Sequence, residues 1–370
     1  MKKITNLQLA SLIYFIMHAN FIGITFNSIS KILKEDSYLG ILLGSIIGLI
    51  PLLIYLYIFN YEPSLNINEK NIKLFGKYLG NIINIIISIL TLLVITISFS
   101  NLVTIIHSDY LSKTPIILVI ITFLIPIYYS LYTGLKSICR ASLIFLFITI
   151  ILVIISNLGL LIQIDINNFK PFFYNNSNLL NGSIYFITYN ITPLYLINII
   201  PKSDIVNNNK TNKYIVIFYI ISILSLLATT LNIIGIFGIK LTSLYQYPEF
   251  QILKHVSIIG ISSRIDSILF IQWIFDILLF VIIGLYYVVT TSHSIKNEKN
   301  NIFLTIYCIL ILSLTLIVPN DLFINIISIK VLPPIIITFT LIIFILMFIK
   351  INYTRQISHK VKSTYNTSNK

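Results

Sequence analysis

Apolar runs of about 20 residues follow one another from near the N-terminus almost to the end of the chain, and this succession leaves few folds open. Coiled as a helix, a run of that length crosses roughly 30 Å of hydrocarbon. Lipid offers no partner to a free N–H or C=O, so such a run must bond its own backbone. Ten runs are read: Leu7 to Ile29, Tyr38 to Phe59, Leu79 to Ile106, Pro115 to Tyr132, Cys139 to Ile162, Ser183 to Ile200, Tyr214 to Gly238, Asp266 to Thr290, Ile302 to Val318 and Pro333 to Ile349. The sequence therefore predicts an all-α integral membrane protein with ten transmembrane helices. It forms one polytopic domain over residues 1–350, followed by a basic cytoplasmic tail over 351–370. Composition agrees. With 57% hydrophobic and 10% charged residues and a mean hydropathy of +0.94, a water-soluble globule is excluded, because soluble domains carry roughly 25% charge.

The 25 Lys+Arg exceed the 12 Asp+Glu by 13. In a soluble protein that excess would suggest nucleic acid; here the basic residues lie between apolar runs and read as topology signals, so no nucleic-acid partner is expected. With the N-terminus inside, the inner segments hold 17 of the 25, including Lys2, Lys3, Lys70, Lys73, Lys77 and the tail from Lys350. That bias places both termini in the cytoplasm. Lys2 and Lys3 ahead of Leu7 to Met17 imitate a signal peptide, but the apolar run resumes at Phe21 to Phe26, which predicts an uncleaved first span. Cys139 and Cys308 support neither a disulfide framework nor a zinc cluster.

Ten spans divide into five and five, and an odd number per half inverts the second half relative to the first. This is the 5+5 inverted repeat of LeuT-type transporters, with halves at about residues 7–162 and 183–349. The halves share an irregularity. The middle of span 1 reads His18-Ala19-Asn20-Phe21-Ile22-Gly23-Ile24, and the middle of span 6 reads Tyr189-Asn190-Ile191-Thr192-Pro193. Pro193 has no N–H, so carbonyls near Tyr189 and Asn190 lose helical partners. Taken singly, Gly23 is explained by close helix packing and Pro193 by a kink. As a pair at equivalent positions they predict broken helices 1 and 6 whose free backbone groups hold a zwitterion or ion near the midplane, a small amino acid above all. The expected ligand-binding residues are Ala19, Asn20, Gly23, Asn190, Thr192 and Pro193, together with Thr96 and Asp276.

Two further features bear on that site. Span 3 carries Ser88, Thr91, Thr96, Ser98, Ser100 and Asn101. Thr96 and its neighbours either line a cavity or bond their own helix. Asp276 lies near the middle of span 8, where an unpaired carboxylate is expensive, so it is expected to face a cavity, pair or hold a proton. Between spans 7 and 8, Pro248 to Ile261 places Ile252, Leu253, Val256 and Ile259 on one helical face and Gln251, Lys254 and His255 on another, as in a helix lying at the membrane surface. Ser263 to Asp266 fits a capping box, which makes Asp266 a cap rather than a site. The five histidines are scattered, and P-loop, GxSxG and paired-Asp motifs are missing. No enzyme activity, cofactor or metal is predicted.

Ile4-Thr5-Asn6-Leu7-Gln8 leading into span 1, the break from Asn190 to Pro193, and the stretch from Tyr247-Pro248-Glu249-Phe250 through Arg264-Ile265-Asp266 to Trp273 resemble the membrane-embedded B subunit of GerA-type spore germinant receptors. That resemblance implies the amino acid/polyamine/organocation transporter superfamily. It also implies a place in the spore inner membrane or cell membrane, A and C receptor subunits as partners, and a nutrient, commonly an amino acid, bound at Ala19 to Gly23 and Asn190 to Pro193. The expected function is nutrient sensing, with the ligand favouring one of two bundle arrangements. The alternative is a secondary transporter that couples an amino acid or amine to H⁺ or Na⁺. A purely structural membrane scaffold is a third reading.

Overall fold

A computed structural model describes residues 3–173, 176–256, 265–296, 300–317 and 330–368. The chain enters its first helix through a capping box. Thr5 Oγ1 accepts from the Gln8 N–H at 3.2 Å, and Gln8 Oε1 accepts from the Thr5 N–H at 3.0 Å, so two donors at the start of α1 (Asn6–Ala19) are satisfied locally. After a break at Phe21–Thr25 the rod resumes as α2 (Phe26–Leu33), then turns through Lys34–Asp36 into α3 (Ser37–Ile47) and α4 (Leu49–Asn60).

The short α5 (Ile67–Phe75) is capped by Asn66 and Glu69, and the long α6 (Lys77–Asp109), α7 (Ile116–Thr133) and α8 (Leu135–Leu160) follow. Gly76 and Gly134 separate consecutive helices at φ +83° and +87°, a left-handed turn that glycine enters at little steric cost. The second half contains α9 (Leu179–Phe186), a π-turn at Ile187–Ile191 and a 3-10 segment at Thr192–Ile199. Then come α10 (Thr211–Leu244), the single turn α11 (Pro248–Gln251), α12 (Ile265–Lys296), α13 (Asn300–Ile317) and α14 (Leu332–Ser368).

Among the described residues seven helices are long and apolar enough to cross a membrane, where ten runs were read from sequence. The difference has local causes. Asn6–Asn60 forms one continuous apolar stretch that contains the first two runs, the run at 183–200 is broken into short pieces, and the described part of the ninth run, Asn301–Ile317, ends where residues 318–329 fall outside the described residues. The most hydrophobic window of Ile265–Ser294 is 72% buried against 28% for that of Ile116–Thr133, so α12 lies at the centre and α7 at the periphery. The core gathers around α1, α6 and α12.

Gly40, Gly44 and Gly48, four residues apart, make a flat strip on α3 and at the start of α4. A Cβ on Gly44 would lie 3.1 Å from the Ser183 carbonyl, and one on Gly48 would lie 2.0 Å from Ile191. Small residues let backbones approach where no hydrophobic force separates protein from lipid. The Ser183 hydroxyl bonds the Gly40 carbonyl at 3.0 Å across this contact. The strip therefore seats the second break against α3 and the start of α4.

The segment between α10 and α12 departs from expectation. Pro248, Glu249, Phe250, Ile252 and Leu253 are buried in the protein instead of lying at the membrane surface. Phe250 packs against Tyr110 and Phe270 with ring centroids 5.8 and 4.9 Å away, and Lys254 pairs with Asp109 at 3.1 Å. Amphipathic spacing reports that one face is covered, not by what. Ile259 and the cap expected at Ser263 and Arg264 lie outside the described residues.

Candidate functional site

The two breaks meet. At the first, Ile22 has ψ 127° and Gly23 has φ +69°, so the helical ladder stops and Thr25 turns back to bond the Asn20 carbonyl with its N–H (3.1 Å) and hydroxyl (2.9 Å). Gly23 is required twice over: L-residues rarely adopt its φ, and a Cβ there would stand 2.6 Å from the Tyr247 ring. At the second break Pro193 has no N–H to give to the Tyr189 carbonyl four residues earlier. Asn20 Nδ2 donates to that carbonyl at 3.0 Å. In return Asn190 Nδ2 donates to the Met17 carbonyl at the end of α1. Each break thus supplies a side-chain amide to the backbone of the other.

The junction is closed but not fully satisfied. Asn190 Oδ1 and Thr192 Oγ1 are buried without hydrogen-bond partners, and so is Asn101 Nδ2, which lies 3.2 Å from where a Gly23 Cβ would stand. Ala19, Asn20, Gly23 and Asn190 are therefore brought together. Thr192 and Pro193 line a small adjoining cavity of about 10 Å³ with Thr91, Tyr195 and Thr340. Thr96 takes its bland alternative: its hydroxyl bonds the Leu92 carbonyl of its own helix at 2.7 Å. From the same hydroxyl-rich stretch it is Ser98 that reaches the break, donating to Asn20 Oδ1.

Asp276 faces a separate cavity on the other side of α1, about 30 Å³ in volume, with Tyr14, His18, Ser156, Asn157, Ser225, Thr229, Asn232, Glu249, Gln272 and Trp273 among its walls. Such a volume holds about two water-sized groups. His18 Nδ1 lies 2.8 Å from the Tyr14 carbonyl, which can only accept, so Nδ1 carries hydrogen and Nε2 offers its lone pair. His18 also stacks on Tyr14 with centroids 3.9 Å apart. Burial pushes the Glu249 carboxyl up to about 8, opposed by its own N–H and that of Gly23. Neither Glu249 oxygen attains hydrogen-bond geometry.

Sequence reasoning missed His18, Glu249, Gln272 and Trp273. The available signal was Glu249 itself, a carboxylate among apolar neighbours in Tyr247-Pro248-Glu249-Phe250. No group of three His, Cys, Asp or Glu side chains among the described residues has metal-binding geometry.

The broken rods packed among long apolar helices define a multi-pass helical membrane protein. A manganese transporter of Eremococcus coleocola, solved in a point-mutant form, superposes with a TM-score of 0.52, covering 91% of this chain and 78% of its own at 15% identity. That likeness concerns the fold. The sequence profile of the spore germination protein family matches residues 3–324, and the chain belongs to that family. Spore germination protein A2 of Bacillus subtilis (strain 168) is 24% identical over 214 residues, 57% of this chain. The match spans 58% of that relative's length.

Proposed function

We propose that the protein is a membrane-embedded nutrient-sensing subunit of a spore germinant receptor, working with A and C partner subunits in the spore inner membrane. In this reading the ten apolar runs form two inverted halves, about 7–162 and 183–349, with both termini cytoplasmic. A small amino acid binds at the broken middles of helices 1 and 6, at Ala19, Asn20, Gly23, Asn190, Thr192 and Pro193. The reciprocal bonding of Asn20 to Tyr189 and Asn190 to Met17 supports it, because those bonds are ones a ligand can replace in kind. An ammonium takes the carbonyls, a carboxylate takes the amides, and Asn190 Oδ1 and Asn101 Nδ2 stand ready beside them. The ligand then favours an open arrangement over the closed one. A nearly complete switch needs about 5.5 kcal/mol of differential binding.

Secondary transport of an amino acid or amine with H⁺ or Na⁺ is the second reading. The buried carboxylates of Glu249 and Asp276 beside helix 1 favour it over a purely structural scaffold. Deleting the gene in its spore-forming host and screening nutrients separates the two. Loss of the response to a particular nutrient is expected. Unchanged germination on every nutrient, with other receptors also removed, rejects sensing. Uptake of labelled amino acid by the isolated chain in vesicles assigns transport instead.

A further inference from the structure

The cavity behind α1 has a hydrogen-bonding balance that a closed junction does not explain. Five of its buried acceptor atoms have no partner: His18 Nε2, Glu249 Oε1 and Oε2, Gln272 Oε1 and Asp276 Oδ1. One buried donor, Trp273 Nε1, also lacks one. His18, Gln272 and Trp273 are each at least 96% buried, away from bulk solvent. Among the described residues no Lys or Arg lines the space. The two ion pairs among the described residues, Lys73–Glu62 and Lys254–Asp109, lie elsewhere. Buried carboxylates without a countercharge are expensive, and unpaired acceptors in the same wall add to the penalty.

We infer that this cavity binds a primary ammonium group, with the Glu249 and Asp276 carboxylates as counterions and Gln272 Oε1 and His18 Nε2 as further acceptors. Three features select that chemistry. The charge demand is for a cation. The acceptors are several and directional, and His18 Nε2 offers a single lone pair in the ring plane, which suits an N–H better than an alkali ion. The volume of about 30 Å³ admits an ammonium with a short stem and excludes a whole amino acid in this arrangement. The ammonium is supplied either by a free small amine or by the amino end of an amino acid whose carboxylate stays on the amides of the breaks, this cavity then replacing the break carbonyls as the ammonium's partner past His18, two residues before Asn20. The second source rests on the sensing reading above; the site itself does not.

Trp273 is the single tryptophan of the chain and lines the cavity, so its emission reports on occupancy. The full-length protein is reconstituted in lipid nanodiscs at about pH 9, above the value of about 8 to which burial lifts the Glu249 carboxyl. Methylammonium chloride is then added at constant ionic strength. A saturable change is expected, with none from tetramethylammonium, which has the charge but no N–H. Glu249→Gln and Asp276→Asn should each raise the half-saturating concentration at least tenfold while the unliganded emission stays that of a buried indole. If either variant shows solvent-like emission, Gln272→Leu replaces it, with a severalfold loss expected. Saturation by glycine as well as methylammonium assigns the site to the amino end of an amino acid, and saturation by methylammonium alone to a free amine; both support the site. A flat methylammonium titration, or an equal response to tetramethylammonium or sodium, overturns it. Normal germination of the deletion strain alongside methylammonium saturation would remove the sensing reading and leave this site standing.

Discussion

Asn20 and Asn190 each bond the backbone of the other's helix: Asn20 Nδ2 reaches the Tyr189 carbonyl at 3.0 Å, and Asn190 Nδ2 reaches the Met17 carbonyl. The two amides form one latch, so their removal should be coupled. Asn20→Ala or Asn190→Ala removes a buried hydrogen bond between the two breaks and should lower stability by about 1–3 kcal/mol. The double variant should lose less than the sum, measured by thermal unfolding in detergent. Strict additivity would mean that the amides act independently.

Gly23→Ala faces two obstacles, φ +69° and the Tyr247 ring 2.6 Å from the new Cβ. The backbone conformation alone costs about 1–2 kcal/mol for an L-residue. Tyr247→Ala in the Gly23→Ala background should remove the clash and restore part of the folded yield, seen by size-exclusion chromatography, but not all of it. Full recovery would show that the left-handed turn carries no strain.

Glu249 provides a pH test. Its carboxyl is lifted by burial from 4.5 to about 8, with the Gly23 and Glu249 N–H groups opposing; His18, Asp276 and Tyr14 share the cavity. The folded protein retains a proton that the unfolded chain releases within that window. Stability should therefore fall as pH rises from about 4.5 and level off above about 8. Glu249→Gln should flatten this part of the curve of unfolding midpoint against pH. An identical slope in both proteins would show that Glu249 ionises freely.

Lys70 Nζ donates to the Ile58 carbonyl at 2.9 Å and so closes the last turn of α4. Lys70→Met keeps the stem but removes the ammonium's bonds to the Ile58 and Phe59 carbonyls, a loss of about 1–3 kcal/mol. Burial pushes the amine down from 10.5 to about 8, against the pull of Glu62 and Glu69. A lowered base favours the folded state as pH rises from about 8 to 10.5, so the deficit of Lys70→Met should widen over that interval. A deficit that narrows would contradict the buried, depressed amine.

Apolar runs announced helices because a chain in lipid has no other way to bond its backbone, and Pro193 announced a break because a missing N–H is a property of one residue. Asn20 and Gly23 were legible for the same reason: small polar residues stood where leucine would serve. The helix count was less legible. Whether Asn6–Asn60 and the pieces around 183–200 form whole spans depends on where each rod bends.

The break before Pro193 could be read along the chain, because the missing N–H belongs to the residue itself. What only the tertiary structure decided is which groups face one another. Thr96 and Ser98 differ by two positions, yet one bonds its own helix while the other reaches Asn20. Glu249, on a segment whose pattern suited a membrane surface, lies buried beside His18 and Asp276. Spacing determines the face a side chain occupies on its own helix; packing among distant helices determines whether that face meets lipid, backbone or an enclosed charge.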